Sequence, residues 1–267
     1  MKLSFSTLAC PNWTFGEITS AAKDLGYDGI EIRGMGDELY APKLKIFDDA
    51  HLTETRSKLD ALGLSLPILS SGATLGVYSK KDDAIKESSD YIALAQKLGV
   101  PYIRVLITAD AFPNGGDTEL FRKSYLTVCR EGERAGVTPL VETNGLFADT
   151  TLLKKVFESI DSENKGILWD VNHTFRYNSE PVAETLKNIG AYIRHVHIKD
   201  SLIEKGKPSY KLLGYGDIPV KTAVQKLNAS GYMGYYSLEW VKRWQSDLEA
   251  EGIVFAHTIK YLKELTT

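Results

Sequence analysis

The chain has 267 residues, of which 43% are hydrophobic and 25% are charged. These proportions are typical of a globular protein with a sizeable core, and they exclude an intrinsically disordered chain. The formal net charge of −3 argues against nucleic-acid binding, which usually requires a basic surface.

The compartment is predicted from the first residues, the hydropathy and the cysteines. The opening segment Met1 to Pro11 is too short and too polar for a signal peptide and is typical of a first strand ending at a proline turn. No run of some 18 apolar residues occurs, so no membrane span is expected. Cys10 and Cys129 lie far apart and are interpreted as reduced structural thiols. A cytoplasmic protein is therefore predicted.

Strand-like and helix-like segments alternate along the whole chain. The predicted strands are Leu3–Thr7, Tyr27–Arg33, Leu64–Leu69, Tyr102–Ile107, Val137–Glu142, Gly166–Asp170, Ile193–Asp200 and Tyr235–Trp240. The predicted helices are Phe15–Leu25, Asp48–Leu62, Asp82–Leu98, Asp117–Ala135, Thr150–Ile160, Ser179–Ile189, Val220–Ala229 and a last one from about Asp247 to Leu265. Several of these helices are followed directly by glycine, the residue that most often ends a helix.

Eight βα units in a chain of this length favour a closed (β/α)8 barrel, a TIM barrel of the α/β class, forming a single domain over residues 1–267. An open doubly wound sheet is the alternative, because hydrophobic periodicity cannot show closure. Pro139 inside the fifth strand is a mild irregularity, since proline removes a ladder donor.

The seventh strand has an unusual face. Its alternation places His195, His197 and Lys199 on one side, and such residues make a poor hydrophobic layer. That face must therefore meet water, buried partners or a metal.

The ends of four consecutive late strands carry groups that can bind metal. In a TIM barrel the catalytic groups lie at the carboxyl ends of the strands, and these ends supply Glu142, Asp170, His197 and Glu239. Three carboxylates and one imidazole suit Mn²⁺, Co²⁺ or Mg²⁺, and Zn²⁺ less well. A single acidic residue at a strand end is usually a helix cap, but clustered carboxylates without a cation would repel one another. A single divalent metal ion is predicted.

Several segments resemble the xylose isomerase-like TIM barrel superfamily, in its sugar phosphate isomerase/epimerase branch. They run nearly end to end and include Gly26-Tyr-Asp-Gly-Ile-Glu31, Trp169-Asp-Val-Asn-His173, His195-Val-His-Ile-Lys-Asp200 and Leu213-Gly-Tyr-Gly-Asp217. The resemblance implies that Glu142, Asp170, His197 and Glu239 are the metal ligands and that His173 contacts the substrate.

The chain also departs from some members of that family. The ketose 3-epimerases have a second glutamate six residues beyond the first metal-binding one and an arginine six beyond the metal-binding histidine, where this chain has Ala148 and Ile203. These differences argue against a free-ketose 3-epimerase of that subtype. The zinc endonucleases of the family need many histidines, and with five histidines this chain is not expected to be one.

The resemblance predicts a divalent-metal-dependent isomerase or epimerase of a small sugar, a sugar phosphate or a related keto-polyol. Glu142 and Glu239 would act as the acid/base pair on a metal-stabilised enediolate. His173 would bind a substrate hydroxyl, or it helps to cap the next helix. Lys199 would hold a substrate oxygen or phosphate, or it pairs with Asp200 or another carboxylate.

Two alternatives to this function stay open. The first is a metal-dependent dehydratase, a lyase acting on a cyclic polyol or keto acid such as an inosose or dehydroshikimate. The second is a non-catalytic sugar-binding barrel. The expected partner is a small carbohydrate, with no nucleic acid or membrane, and relatives of this family often form homodimers or homotetramers.

Overall fold

The computed structural model describes residues 1–265, so the last two residues of the predicted 1–267 domain lie outside the described part. The strands are β1 (Lys2–Ser6), β2 (Gly29–Glu31), β3 (Leu69–Thr74), β4 (Tyr102–Leu106), β5 (Thr138–Glu142), β6 (Gly166–Asp170), β7 (Ile193–Ile198), β8 (Asp200–Glu204), β9 (Lys207–Lys211) and β10 (Tyr235–Leu238). The helices are α1 (Phe15–Leu25), α2 (Leu52–Leu62), α3 (Lys81–Leu98), α4 (Thr118–Ala135), α5 (Thr150–Glu158), α6 (Val171–Asn178), α7 (Val182–Ile189), α8 (Val220–Ala229) and α9 (Glu251–Glu264).

The chain divides into two compact units. The terminal unit combines Met1–Pro67 with the described residues from Val196 onward, and the central unit is Ile68–His195. The boundary falls inside β7, so the first half of this strand belongs to the central unit and the second half to the terminal unit.

The terminal unit contains parallel strands in the order β2, β1, β10, followed by the second half of β7. The backbone N–H of Glu239 donates to the carbonyl of Ile198 at 3.1 Å and joins the ends of β10 and β7. On one face of β1, the ring of Phe5 stacks on Phe255 of α9 with centroids 4.1 Å apart, and Tyr27 packs edge-on against Phe5. These aromatic contacts bury the apolar face of α9 against the sheet.

The central unit contains parallel strands in the order β6, β5, β4, β3, with the first half of β7 beside β6. Ile68, Leu140 and Leu168 form a fully buried cluster. Pro139 lies within β5, in register with Ile103 of β4. Its carbonyl accepts a hydrogen bond of 2.6 Å from the buried hydroxyl of Tyr125 on α4, so the helix is tied to the strand at this point.

The predicted third strand, Leu64–Leu69, is wrong, because β3 begins only at Leu69. Ser65 instead forms an isolated β-bridge with Gly29. The N–H of Ser65 donates to the carbonyl of Asp28, and the carbonyl of Ser65 accepts from the N–H of Ile30. A Cβ on Gly29 would lie 2.8 Å from the Ser65 carbonyl oxygen, so the close approach requires glycine. Pro67 has no N–H and the ladder stops there.

The predicted helix Ser179–Ile189 is also wrong at its start. The structure has α7 from Val182, preceded by α6, a helix that the sequence pattern did not indicate. Ser179 ends α6 in the left-handed region with φ +50°. Within residues 1–265 there are therefore nine α-helices, where eight helices were predicted.

An antiparallel hairpin of β8 and β9 follows β7 and was not predicted. Asp200 pairs with Lys211, and the two strands turn at Lys205 and Gly206, which both have positive φ. Two successive residues with positive φ are typical of a tight hairpin turn.

Within residues 1–265, no helix combines the length and the apolar character that a bilayer span requires.

Candidate functional site

In the central unit, the predicted residues Glu142 and Asp170 end two neighbouring strands. Glu142 is the last residue of β5 and pairs in register with Leu168 of β6, two residues before Asp170. Both carboxylates are buried, with exposed fractions of 2% and 0%. Burying a charged carboxylate is costly unless other charges or hydrogen bonds offset it, so the neighbours of these two residues matter.

Glu142 is paired with a buried arginine. Nη1 of Arg104 on β4 donates to Oε2 of Glu142 at 3.0 Å. The same guanidinium donates through Nε and Nη2 to the carbonyl of Ser71 on β3, at 3.2 and 2.9 Å. Because the guanidinium is planar and anchored on both sides, it fixes the orientation of the Glu142 carboxylate.

Asp170 caps the helix that carries His173. Its Oδ1 accepts the backbone N–H of His173 at 2.9 Å, which is the N-cap hydrogen bond of α6. The imidazole of His173 then lies between the two carboxylates, with Nδ1 3.4 Å from Oε1 of Glu142 and Nε2 3.7 Å from Oδ2 of Asp170. The structure therefore brings Glu142, Asp170 and His173 together.

In the terminal unit, the predicted residues His197, Lys199 and Glu239 also lie together. Nδ1 of His197 is 3.4 Å from Oε1 of Glu239. The ammonium of buried Lys199 donates to Oε2 of the same glutamate. The expected pairing of Lys199 with a carboxylate is therefore seen, and the partner is Glu239.

Sequence reasoning missed Glu31, the last residue of β2. It is fully buried. Both of its oxygens lie within hydrogen-bonding distance of Nε2 of His197, at 3.1 and 3.0 Å, and Ser237 donates to Oε2 at 2.8 Å. The rule that functional groups lie at strand ends identifies this residue when it is applied to the second strand as well as to the late ones.

Asp200 accepts hydrogen bonds from the backbone beside this cluster. Its two carboxylate oxygens accept four backbone N–H groups, from Ser201, Gly214, Gly216 and Ile218, at 2.8 to 3.1 Å. Burial raises the pKa of Asp200 and outweighs these hydrogen bonds, which act to lower it. Asp200 thus holds the glycine-containing loop after β9 in place.

Each unit therefore offers buried oxygen donors and an imidazole. The central unit supplies Glu142 and Asp170 with His173 beside them, and the terminal unit supplies His197 and Glu239. Carboxylate oxygens and imidazole nitrogen are the ligands of hard or borderline divalent cations. The donor chemistry of both clusters fits the predicted metal.

Each unit has parallel strands and helices, as in proteins of the α/β class, and comparisons with known proteins identify the family. Residues 19–265 match the xylose isomerase-like TIM barrel family. Since this match covers nearly the whole chain, the protein belongs to the xylose isomerase-like TIM barrel family. The predicted (β/α)8 fold class and the resemblance are confirmed.

Individual relatives are distant. The chain is 22% identical over 242 residues to fructoselysine 3-epimerase of Escherichia coli O157:H7, covering 85% of each chain. Among solved structures, it resembles the probable 3-DHS dehydratase AsbF of Bacillus anthracis, with a TM-score of 0.80, 18% identity and coverage of 98% and 99%. It also resembles the IOLI protein with bound zinc, with a TM-score of 0.80, 19% identity and coverage of 99% and 98%. At these identities the structural likeness shows the fold alone.

Proposed function

We propose that this protein is a divalent-metal-dependent isomerase or epimerase of a small sugar, sugar phosphate or related keto-polyol. The observation that carries the proposal is the environment of the two glutamates assigned as acid and base. Glu142 and Glu239 are each buried at a strand end, and each is held through Oε2 by a buried cation, Arg104 or Lys199. Family membership and the similarity to a sugar epimerase support this assignment.

The proposed metal ligands are Glu142, Asp170, His197 and Glu239. Three carboxylates and one imidazole suit Mn²⁺, Co²⁺ or Mg²⁺, with Zn²⁺ also accepted. When bound, the cation would polarise the substrate carbonyl and stabilise the negative charge that develops on its oxygen.

The glutamates carry the proposed proton transfers. One removes the proton from the carbon next to the carbonyl, and the other returns a proton. Return to the opposite face of the same carbon gives epimerisation, whereas return to the neighbouring carbon gives isomerisation. Because Arg104 and Lys199 fix one oxygen of each carboxylate, the side chains enter the reaction without reorganising.

His173 and Lys199 are proposed to bind the substrate. The ring of His173 lies 3.4 Å from Glu142, so a hydroxyl bound to it would be held close to that carboxylate. Lys199 contacts Glu239, and its ammonium would hold a substrate oxygen or phosphate by charge attraction and hydrogen bonding. A small carbohydrate is the proposed partner, in a cytoplasmic protein without nucleic-acid or membrane partners.

The test is exchange of substrate protons with solvent. The protein is incubated with Mn²⁺ or Co²⁺ and a panel of ketoses, their phosphates and keto-polyols in D₂O, and products are followed by NMR and mass spectrometry. An isomerase or epimerase incorporates deuterium next to the carbonyl and yields a product with the carbon skeleton and oxygen count of the substrate. Tight carbohydrate binding without exchange would instead identify a non-catalytic sugar-binding barrel and contradict the proposal.

A metal-dependent dehydratase is the second candidate. Ala148 and Ile203 stand where the resemblance to the ketose 3-epimerases would require a glutamate and an arginine, which argues against that epimerase subtype and keeps this alternative open. The same first proton removal, followed by loss of a β-hydroxyl, gives a product lighter by one water. Product mass therefore separates the two reactions in a single experiment.

A further inference from the structure

Glu31 contacts the proposed metal ligand His197 on the side facing away from Glu239. It lies at the end of β2, and both carboxylate oxygens are close to Nε2 of His197, at 3.1 and 3.0 Å. The two side chains have no exposed surface. The other ring nitrogen, Nδ1, lies 3.4 Å from Oε1 of Glu239. The imidazole is therefore held between two carboxylates, one at each nitrogen.

These contacts constrain the position of the imidazole proton. A carboxylate can only accept hydrogen bonds, so Nε2 of His197 carries the hydrogen that meets Glu31. Ser237 donates to Oε2 of Glu31 at 2.8 Å and holds the carboxylate in this orientation. In the neutral ring, Nδ1 then presents its lone pair toward Oε1 of Glu239. Two electron-rich atoms that face each other in this way can bind a cation between them.

We propose that Glu31 is a positioning residue that keeps His197 as the Nε2–H tautomer and so presents Nδ1 as the metal-binding atom. This inference rests on the proposed function. A histidine that binds a metal commonly donates its other N–H to a carboxylate or carbonyl, and loss of that partner usually weakens metal affinity 10- to 100-fold. Glu31 acts through His197.

The first test reads the tautomer in the metal-free protein. Two-bond ¹⁵N–¹H NMR spectra of ¹⁵N-histidine-labelled protein, at a pH where the ring is neutral, distinguish the two tautomers. The signals of His197 are assigned by their loss in His197→Asn, since the chain has five histidines. The Nε2–H tautomer is expected in the wild type, and an Nδ1–H tautomer would overturn the inference.

The second test changes Glu31. In Glu31→Gln the amide can donate to Nε2, so a shift of His197 toward the Nδ1–H tautomer and a 10- to 100-fold weaker affinity for Mn²⁺ and Co²⁺ by calorimetry are expected. Glu31→Asp keeps the carboxylate and should recover part of the affinity, whereas Ser237→Ala should cause a smaller loss than Glu31→Gln. An unchanged tautomer and affinity in a folded Glu31→Gln protein would overturn the inference.

The outcomes separate this inference from the proposed function. If the wild type binds neither Mn²⁺ nor Co²⁺ but shows the Nε2–H tautomer, the proposed metal function fails and the orienting role of Glu31 stands. If the wild type binds metal and Glu31→Gln binds it equally well, the proposed function stands and Glu31 has no positioning role. If Glu31→Gln does not fold, the wild-type tautomer and the Glu31→Asp and Ser237→Ala variants decide the question.

Discussion

Nη1 of Arg104 lies 3.0 Å from Oε2 of Glu142, and both side chains are more than nine-tenths buried. The arginine also donates twice to the carbonyl of Ser71. The backbone of β3 therefore anchors the cation that orients the glutamate. The packing of β3, β4 and β5 therefore determines the orientation of Glu142, one of the two proposed acid/base groups.

Replacing Arg104 by methionine should destabilise the protein by about 3–5 kcal/mol, because Glu142 then remains buried without this cation. Urea unfolding followed by circular dichroism measures the loss. The double variant Arg104→Met with Glu142→Gln should be more stable than Arg104→Met alone, since no charge is then left at that position. A stability of Arg104→Met close to that of the wild type would contradict the importance of the pair.

Glu142→Gln and Glu239→Gln should each lower the turnover of the identified substrate by about 10²- to 10⁴-fold, because an amide cannot accept or return the proton. Steady-state kinetics and solvent deuterium exchange both report the loss. Glu119→Gln is the matched control, since Glu119 is an exposed carboxylate on α4 that pairs with Arg122, and it should retain wild-type turnover. Wild-type turnover in both Glu142→Gln and Glu239→Gln would exclude their acid/base roles.

Gly216 allows the loop after β9 to approach Asp200. An added Cβ would lie 2.0 Å from Oδ1 of Asp200, so Gly216→Ala should lower the free energy of unfolding by about 1–3 kcal/mol. Gly252→Ala is the matched control: apart from its two chain neighbours and the nearby backbone of its own helix, no atom lies within 4 Å of its Cβ position, and alanine in α9 should raise stability by up to about 1 kcal/mol. Equal effects of the two changes in thermal unfolding would contradict the tight fit at Gly216.

The contribution of the Asp200 carboxyl to the free energy of unfolding should decrease as the pH rises. Burial raises the pKa of its carboxyl in the folded protein, so the folded state binds the proton more tightly than the unfolded state. The resulting stabilisation is complete below the ordinary aspartate pKa of about 3.9 and is lost as pH rises through the raised value.

Comparison with Asp200→Asn isolates this component, because asparagine does not titrate. The free energy of unfolding of the wild type minus that of Asp200→Asn should decrease between acid and neutral pH. Asp48→Asn is a control of opposite sign, since hydrogen bonding to His51 lowers the pKa of Asp48. A difference for Asp200 that grows with pH would contradict the predicted sign.

The sequence predicted those helix and strand ends that depend on residues close together in the chain. β5 and β6 end at the predicted residues Glu142 and Asp170, and α4 ends at Ala135 before Gly136, as helix-stop chemistry indicates. The third strand differs from the predicted Leu64–Leu69 because the backbone of Ser65 forms hydrogen bonds with Asp28 and Ile30, which are distant in sequence. Hydrophobic periodicity describes a single segment and does not indicate which distant residues it pairs with.

The candidate site was predictable to a similar extent. The four proposed ligands follow from the strand ends, but the contacts that orient them depend on side chains distant in sequence. Glu31 and His197 are separated by 166 positions, and Arg104 and Glu142 by 38. The apolar pattern of the sequence does not indicate helix α6, although its N-cap, Asp170, is of a residue type that commonly starts a helix.

Metal content of the purified protein tests the central claim most directly. The wild type, loaded with Mn²⁺ or Co²⁺ and dialysed, is compared by elemental analysis with Asp170→Asn, which can still cap α6 but loses a charged ligand. Asp117→Asn is the matched control, because Asp117 caps α4 through the N–H of Leu120 in the same way. We predict about one metal ion per chain in the wild type and in Asp117→Asn, and a large loss in Asp170→Asn. No bound metal in the wild type, or equal metal in all three proteins, would contradict the proposed metal site.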